Sequence, residues 1–131
     1  MKGLISILLL TFSFVSVADE QAEAIFKQLA PSLYQIRIID KASGEKSTIG
    51  SGFQITAQGL IATNYHVISG YARYPQKYTL EYLDHLGNKA PLTLESVDVI
   101  NDLALVKRQV NESMPFFEIA GNAEKCHKCV V

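Results

Sequence analysis

Residues 52–64 read GFQITAQGLIATN and predict a β-hairpin. Two short runs rich in Ile, Phe and Thr flank Ala57-Gln58-Gly59, a tight-turn sequence that ends in glycine. We therefore assign strands to 52–56 and 60–64. Short apolar runs closed by turn residues recur on both sides of this hairpin. The same β pattern is therefore expected throughout the domain.

The surrounding elements predict an all-β fold. One leading helix is predicted at 19–29, stopped by Pro31, and Val67 begins a short helical turn over 67–70. Six or seven short strands with frequent turns and one leading helix are typical of an all-β domain, which we expect to close, fully or partly, into a small barrel. Besides the hairpin, the predicted strands are 33–39, with Tyr34, Ile36 and Ile38 on one face, 77–83, 92–99, 103–107 and 116–119.

Composition limits the class of function. The chain has 131 residues, of which 48% are hydrophobic and 19% charged, with a formal net charge of −1. This is a globular composition, without the bias of a disordered, collagenous or disulfide-scaffold protein. The near-zero charge and the lack of a basic run argue against nucleic-acid binding. The length suits one small domain or half of a larger one.

The N-terminus has the pattern of a cleaved secretory signal peptide. Met1 and Lys2 give a positive start, an uncharged apolar stretch follows, and Ser16-Val17-Ala18 supplies a small-residue cleavage site. The stretch is shorter than the ~20 residues of a membrane-spanning helix. We therefore assign residues 1–18 to the signal and expect a periplasmic or secreted protein with no stable membrane span after cleavage. A retained anchor is the alternative.

Three segments carry residues that suggest chemistry. They are Gly50-Ser51-Gly52-Phe53, Thr63-Asn64-Tyr65-His66-Val67 and Asn101-Asp102-Leu103-Ala104-Leu105-Val106. His66 follows an apolar strand, where a rigid scaffold can hold a proton shuttle at a cleft. Asp102 precedes the most apolar strand, and a partly desolvated carboxylate there needs donors such as an imidazole N–H. Taken singly, each segment also suits a structural role: a close backbone approach or bulge, a structural histidine, and a strand-entry cap.

Together the three segments resemble the first half of a trypsin-like serine peptidase, with the bacterial Deg/HtrA type as the closest likeness. The resemblance runs from about residue 22 to residue 110, including the helix, proline and first strand before the hairpin. It implies the N-terminal six-stranded β-barrel of that fold, protein or peptide substrates and no cofactor. It also implies that His66 is the general base and later general acid, oriented by Asp102. Tyr65 and Val67 are minor departures from the family pattern.

The nucleophile of that family is missing from the sequence. No Gly-x-Ser-Gly-Gly motif occurs, and none of Ser69, Ser96 and Ser113, the serines after His66, precedes paired glycines. The second barrel with its oxyanion hole is therefore expected to be missing, and we assign no nucleophile. We expect an incomplete N-terminal barrel at 19–120, followed at 121–131 by an atypical tail from truncation or frameshift. Such a fragment is expected to be inactive. The alternative is a non-catalytic secreted β-barrel that binds a protein or peptide through an exposed strand edge.

The remaining candidate residues favour unremarkable roles. Cys126-His127-Lys128-Cys129 offers too few ligands for a structural zinc site and lacks the βαβ context of a redox motif, so we assign no metal and expect an incidental tail or a local disulfide. His85 is expected to be a solvated turn histidine. A cluster of tyrosines after His66 favours barrel packing over a pocket rim; its members are Tyr71, Tyr74, Tyr78 and Tyr82.

Overall fold

The computed structural model describes the backbone of residues 17–119 and the side chains of residues 20–119. Two helices and six strands make up most of this part of the chain. Nearly all of the predicted signal peptide and the whole of the predicted tail lie outside it. In chain order the elements are α1 (Val17–Leu29), a short 3-10 turn (Ala30–Ser32), β1 (Leu33–Asp40), β2 (Lys46–Gln54), β3 (Leu60–Thr63), α2 (Tyr65–Arg73), β4 (Tyr78–Leu83), β5 (Lys89–Asp98) and β6 (Leu103–Arg108).

The six strands form a closed antiparallel barrel in the order β1-β2-β3-β6-β5-β4, with β4 pairing back onto β1. Each strand is thus paired on both sides over part of its length. This confirms the predicted all-β class, the leading helix and the barrel. Closure also removes a continuous free edge from the described strands, which weighs against partner binding by strand addition.

The barrel interior is filled by the alternating residues of the strands. Tyr34, Ile36 and Ile38 point inward from β1, as predicted, and each is at most 3% exposed. Full burial of an Ile side chain is worth about 1.5–3 kcal/mol, so this row contributes substantially to stability. The other members of the core are Ile61, Val67, Ile68, Leu80, Tyr82, Leu92, Ala104 and Val106.

Two glycines of β2 allow close approach, Gly50 to helix α2 and Gly52 to the neighbouring strands of the barrel. A Cβ atom at Gly50 would lie 2.4 Å from Cγ2 of Val67, and one at Gly52 would lie 2.8 Å from Cγ2 of Ile61. The Gly-Ser-Gly segment is therefore a place of close approach rather than a bulge. Val67, which faces Gly50, and Ile68 are the buried residues of α2. The helix is longer than the turn predicted at 67–70.

The structure differs most from the sequence prediction at two strands, while β5 begins at Lys89 rather than at the predicted residue 92. β2 begins at Lys46, six residues before the predicted start, because its N-terminal half pairs with β1 although its residues are mostly polar. No strand occurs at 116–119, so that prediction is wrong. The backbone N–H of Phe117 donates one hydrogen bond to the carbonyl oxygen of Gln54 at 2.8 Å, and the Phe117 ring meets that of Phe53 edge-on. A single backbone hydrogen bond of this kind is not enough to form a β-strand.

Helix α1 ends before Pro31, as predicted, but adds little to the core. The side chains of Ile25 and Phe26 are 55% and 64% exposed. Between residues 17 and 119 there is no helix with the length and apolarity to cross a membrane.

Candidate active site

His66 is positioned by the end of β3 and the start of α2. Thr63 closes β3, and its hydroxyl donates to the carbonyl oxygen of Ser51 at 2.7 Å, which ties this strand end to β2. Asn64 is the N-cap of α2, so His66 lies in the first helical turn. The buried side chain of Val67, next along the helix, anchors this turn to the barrel. The imidazole itself is 70% exposed and free to meet a second surface.

Asp102 is positioned by the turn that joins β5 to β6. The Asp98 carboxylate stabilises this turn by accepting hydrogen bonds from the backbone and side-chain amides of Asn101, at 3.0 and 2.7 Å. Asp102 itself has φ of +53°, and among residues 17–119 it is the one non-glycine residue with a positive φ. Aspartate adopts this left-handed conformation more readily than most residues. Ala104 and Val106, buried in β6, fix the strand that follows.

The structure brings the two residues into direct contact. Oδ2 of Asp102 lies 2.6 Å from Nδ1 of His66, and Oδ1 accepts the backbone N–H of His66 at 2.8 Å. These bonds, first the backbone one and then the ring one, hold the pKa of Asp102 below its ordinary value. We call these two residues the His66–Asp102 pair.

The charge on Asp102 decides the tautomer of His66. Because its pKa is lowered, the Asp102 carboxyl is ionised near neutral pH, and an ionised carboxylate can only accept hydrogen bonds. Nδ1 of His66 must then carry the proton that bridges the pair. In the neutral imidazole this leaves Nε2 with a free lone pair, which is the arrangement that a general base needs.

Asn64 also contacts Asp102, and sequence reasoning did not single it out. Its Nδ2 donates to the carbonyl oxygen of Asp102 at 3.0 Å, and the backbone N–H of Tyr65 donates to the same oxygen at 3.2 Å. An asparagine before a helix predicts a cap and nothing more. Its contact with a residue 38 positions away could be found only from the folded structure.

An apolar surface adjoins the His66–Asp102 pair on the outside of β2, β3, β5 and β6. Two shallow cavities of about 290 and 230 Å³ share Leu103, which is 52% exposed, as a lining residue. We call this surface the apolar outer face and define it by Phe53, Ile55, Val97, Leu103 and Ile119. Exposed apolar patches of this kind mark surfaces that another protein segment covers.

No nucleophile or metal site accompanies the pair in the described part of the chain. Ser69 Oγ donates to the carbonyl oxygen of His66 at 3.1 Å, and no hydroxyl of residues 20–119 reaches Nε2. Those residues also contain no group of three or more His, Cys, Asp or Glu side chains that could hold a metal ion. Cys126 and Cys129 lie outside the described residues.

The other residues considered in the sequence, one histidine and four tyrosines, lie in a turn or around the core. His85 is exposed in the turn between β4 and β5. Tyr82 is buried, and Tyr71 and Tyr78 pack against the core, in agreement with the predicted packing role. Tyr74 is 53% exposed and does not fit that prediction.

Comparison with known proteins agrees with this geometry. Residues 50–129, more than half of the chain, match the family described as "Trypsin-like peptidase domain". The chain is 24% identical over 117 residues to human "Serine protease HTRA3", covering 86% of this chain and 25% of that protein. It is 40% identical over 70 residues to "Probable periplasmic serine endoprotease DegP-like" of Rickettsia conorii, covering 53% of this chain and 13% of that protein.

The fold has a solved counterpart. The structure described as "Crystal structure of Deg5" superimposes with a TM-score of 0.65 at 25% identity, covering 77% of this chain and 49% of that one. The chain thus spans a quarter or less of the two curated relatives and about half of this structural neighbour.

Proposed function

The chain belongs to the family of trypsin-like peptidase domains, and from this premise we propose that His66 and Asp102 are two of the three catalytic groups of a serine endopeptidase. The observation that carries the proposal is the double hydrogen bond between Asp102 and His66, at 2.6 and 2.8 Å, formed by residues 36 positions apart. These bonds leave the Nε2 lone pair of His66 free, on an imidazole that is 70% exposed. The proposed substrates are proteins or peptides.

The proposed chemistry is acyl transfer. A serine hydroxyl attacks the peptide carbonyl carbon while Nε2 of His66 takes the hydroxyl proton, and the C–O bond of a tetrahedral intermediate forms. His66 then gives that proton to the leaving amine as the C–N bond breaks. Water hydrolyses the acyl-enzyme by the same base. Asp102 stabilises the imidazolium formed at each step, and acid–base catalysis of this kind contributes about 10²–10⁴-fold in rate.

The attacking serine is proposed to come from a segment that these 131 residues do not include. The sequence holds no Gly-x-Ser-Gly-Gly motif, so the chain by itself is proposed to be inactive. The apolar outer face supports this view, because it lies beside the pair and Leu103 and Ile119 on it are 52% and 73% exposed. A second lobe that covers this face would carry a serine towards Nε2 of His66.

The proposed location is the periplasm or the outside of the cell. Residues 1–18 carry a signal-peptide pattern, and the Rickettsia relatives are described as periplasmic. Cleavage after Ala18 would make Asp19 the first residue of the exported protein. Sequencing of the N-terminus after expression in a Gram-negative host tests this directly, and a chain that retains Met1 would support the anchored alternative.

A second candidate function is a non-catalytic secreted barrel that binds a protein partner through the apolar outer face. The exposure of Phe53, Val97 and Leu103 on this face is the observation that favours it. The two proposals differ in their expected response to an added serine-bearing segment. A catalytic chain would gain peptide hydrolysis, whereas a binding module would not.

A chimera tests the two proposals. The chain is joined to the serine-bearing segment of the Rickettsia conorii DegP-like relative, and labelling by a fluorophosphonate probe and peptide hydrolysis are measured. Labelling and hydrolysis that depend on His66, and are unaffected by His85→Ala, would support the catalytic proposal. A folded chimera that hydrolyses peptide equally well with His66→Ala would contradict it. The unjoined chain is expected not to be labelled, and labelling at one of its own serines would overturn its proposed inactivity.

A further inference from the structure

Asn64 occupies the N-cap position of α2, yet its side chain does not cap the helix. Its backbone is extended, with φ of −85° and ψ of 145°, and its side chain makes no capping hydrogen bond. Asparagine is among the residues preferred at this position because its side-chain oxygen normally accepts a helix N–H. The amide of Asn64 is instead turned towards the β5–β6 turn and donates to the carbonyl oxygen of Asp102.

The carbonyl that Asn64 contacts belongs to the one non-glycine residue among residues 17–119 whose φ is positive. Asp102 has φ of +53°, in a region that residues other than glycine seldom occupy. Two donors meet its carbonyl oxygen: Nδ2 of Asn64 at 3.0 Å and the N–H of Tyr65 at 3.2 Å. Unusual conformations of this kind persist when the surroundings hold them, and they occur often at functional sites.

Residues 64–66 therefore hold Asp102 from both ends. Asn64 and Tyr65 bind its backbone carbonyl, and His66 binds both oxygens of its carboxylate. A rotation of the Asp102 backbone towards ordinary φ values would move its carboxylate relative to the imidazole. The hydrogen bonds on the carbonyl oppose that rotation.

We propose that Asn64 is a positioning residue, whose amide holds the backbone of Asp102 so that the carboxylate stays bonded to Nδ1 of His66. The inference rests on the proposed function, in which this bond fixes the tautomer of the general base. Among the interactions that lower the pKa of Asp102, the amide of Asn64 ranks below the two bonds from His66. Asn64 therefore acts mainly through geometry.

A purely structural Asn64 is the competing explanation. The side chain would then stabilise the turn without affecting the His66–Asp102 pair. Asn101 is a matched control, because its amide makes one hydrogen bond in the same turn, to Oδ2 of Asp98 at 2.7 Å, and does not contact the Asp102 carbonyl. Substituting either asparagine by alanine removes one amide from the same region.

The test is nuclear magnetic resonance on the full 131-residue chain. The signal is the low-field proton resonance of His66 Nδ1–H, together with a carboxyl carbon titration of Asp102. Asn64→Ala is expected to abolish the resonance and raise the pKa of Asp102 towards its ordinary value. Asn64→Asp, which keeps the size and removes the donor, is expected to do the same. Asn101→Ala is expected to retain the resonance.

Two results would overturn the inference alone. One is retention of the resonance in folded Asn64→Ala and Asn64→Asp chains, and the other is its equal loss in Asn101→Ala. A different result would remove the premise. If Asp102→Asn changes neither the low-field resonance nor the nitrogen chemical shifts of the His66 imidazole, the His66–Asp102 bond does not form in solution. The proposed function and the role of Asn64 would then both be wrong.

Discussion

The carboxylate of Asp102 orients the imidazole of His66 and is itself held by the backbone of His66. One oxygen lies 2.6 Å from Nδ1 and the other accepts the backbone N–H at 2.8 Å. The ring and its partner therefore fix each other, with β3–α2 on one side and β5–β6 on the other. Both residues of the pair lie in the described barrel domain, whose own backbone and side chains supply the hydrogen bonds that join them.

Replacing Asp102 by asparagine is predicted to remove the orienting charge and to allow the wrong imidazole tautomer. In the chimera with a serine-bearing segment, Asp102→Asn should lower kcat by a factor on the order of 10⁴. Steady-state peptide hydrolysis measures this. Asp98→Asn, in the same turn, is the control and should retain most of the activity. Equal losses in the two variants would show that the turn, rather than the carboxylate of Asp102, matters.

The stability contributed by Asp102 is predicted to depend on pH. Because the folded-state pKa of Asp102 lies below its unfolded value of about 3.9, its contribution is present above that value and is lost as the pH falls through the folded pKa. Asp102→Asn should therefore lower the free energy of unfolding at pH 7, and the difference from the wild type should shrink below pH ~4. Urea unfolding across the pH range measures it. A difference that is constant down to the acid limit would contradict the lowered pKa.

Gly50→Ala is predicted to destabilise the fold by overpacking, at a cost of about 1–3 kcal/mol. The new methyl group would lie 2.4 Å from Cγ2 of Val67 and would push α2, with His66, away from the barrel. The urea midpoint measures the loss. Gly70→Ala is the matched control, since its methyl group would meet its nearest neighbour at 3.8 Å and suits a helix.

A second variant shows whether the contact with Val67 is the cause. Val67→Ala removes the methyl groups that Gly50→Ala would strike. The double variant should be more stable than the sum of the two single losses predicts, because residues in contact are coupled. Additive losses would show that contact with Val67 is not the cause of the destabilisation by Gly50→Ala.

The apolar outer face is predicted to drive self-association of the isolated chain. Val97 is 44% exposed on this face, so Val97→Lys should reduce association without a large loss of stability. Sedimentation over a concentration series measures the change. Leu86→Lys, at a 74% exposed position in the β4–β5 turn, is the control for added charge alone. Equal effects of the two lysines would remove the special role of this face.

Much of the fold follows from local patterns in the sequence. The hairpin at 52–64 forms as predicted, and Gly59 takes φ of +88° in its turn. The inward row on β1 also follows from alternating apolar residues. The continuous apolar run of β6 predicts the strand, although only Ala104 and Val106 of that strand are buried. The N-terminal half of β2 does not, because its polar residues form a strand only through pairing with β1. Residues 116–119 show the opposite: they are mostly apolar, but they form no strand because they do not pair with a neighbouring strand.

The site was predictable only in part. The pattern around His66 and the Asp-Leu-Ala-Leu-Val segment resemble a known family, and that resemblance indicated both members of the pair. The hydrogen bond from the amide of Asn64 to the carbonyl oxygen of Asp102 joins residues 38 positions apart. No local propensity encodes such a contact, because asparagine before a helix predicts a cap.

The low-field proton spectrum of the full chain tests the central claim most directly. A resonance from Nδ1–H of His66 is predicted near neutral pH, lost in Asp102→Asn and retained in His85→Ala. This result would show that the imidazole shares its proton with the carboxylate in solution. A folded chain in which Asp102→Asn changes neither this resonance nor the nitrogen chemical shifts of the imidazole would contradict the claim that the two residues form the acid–base pair of a peptidase.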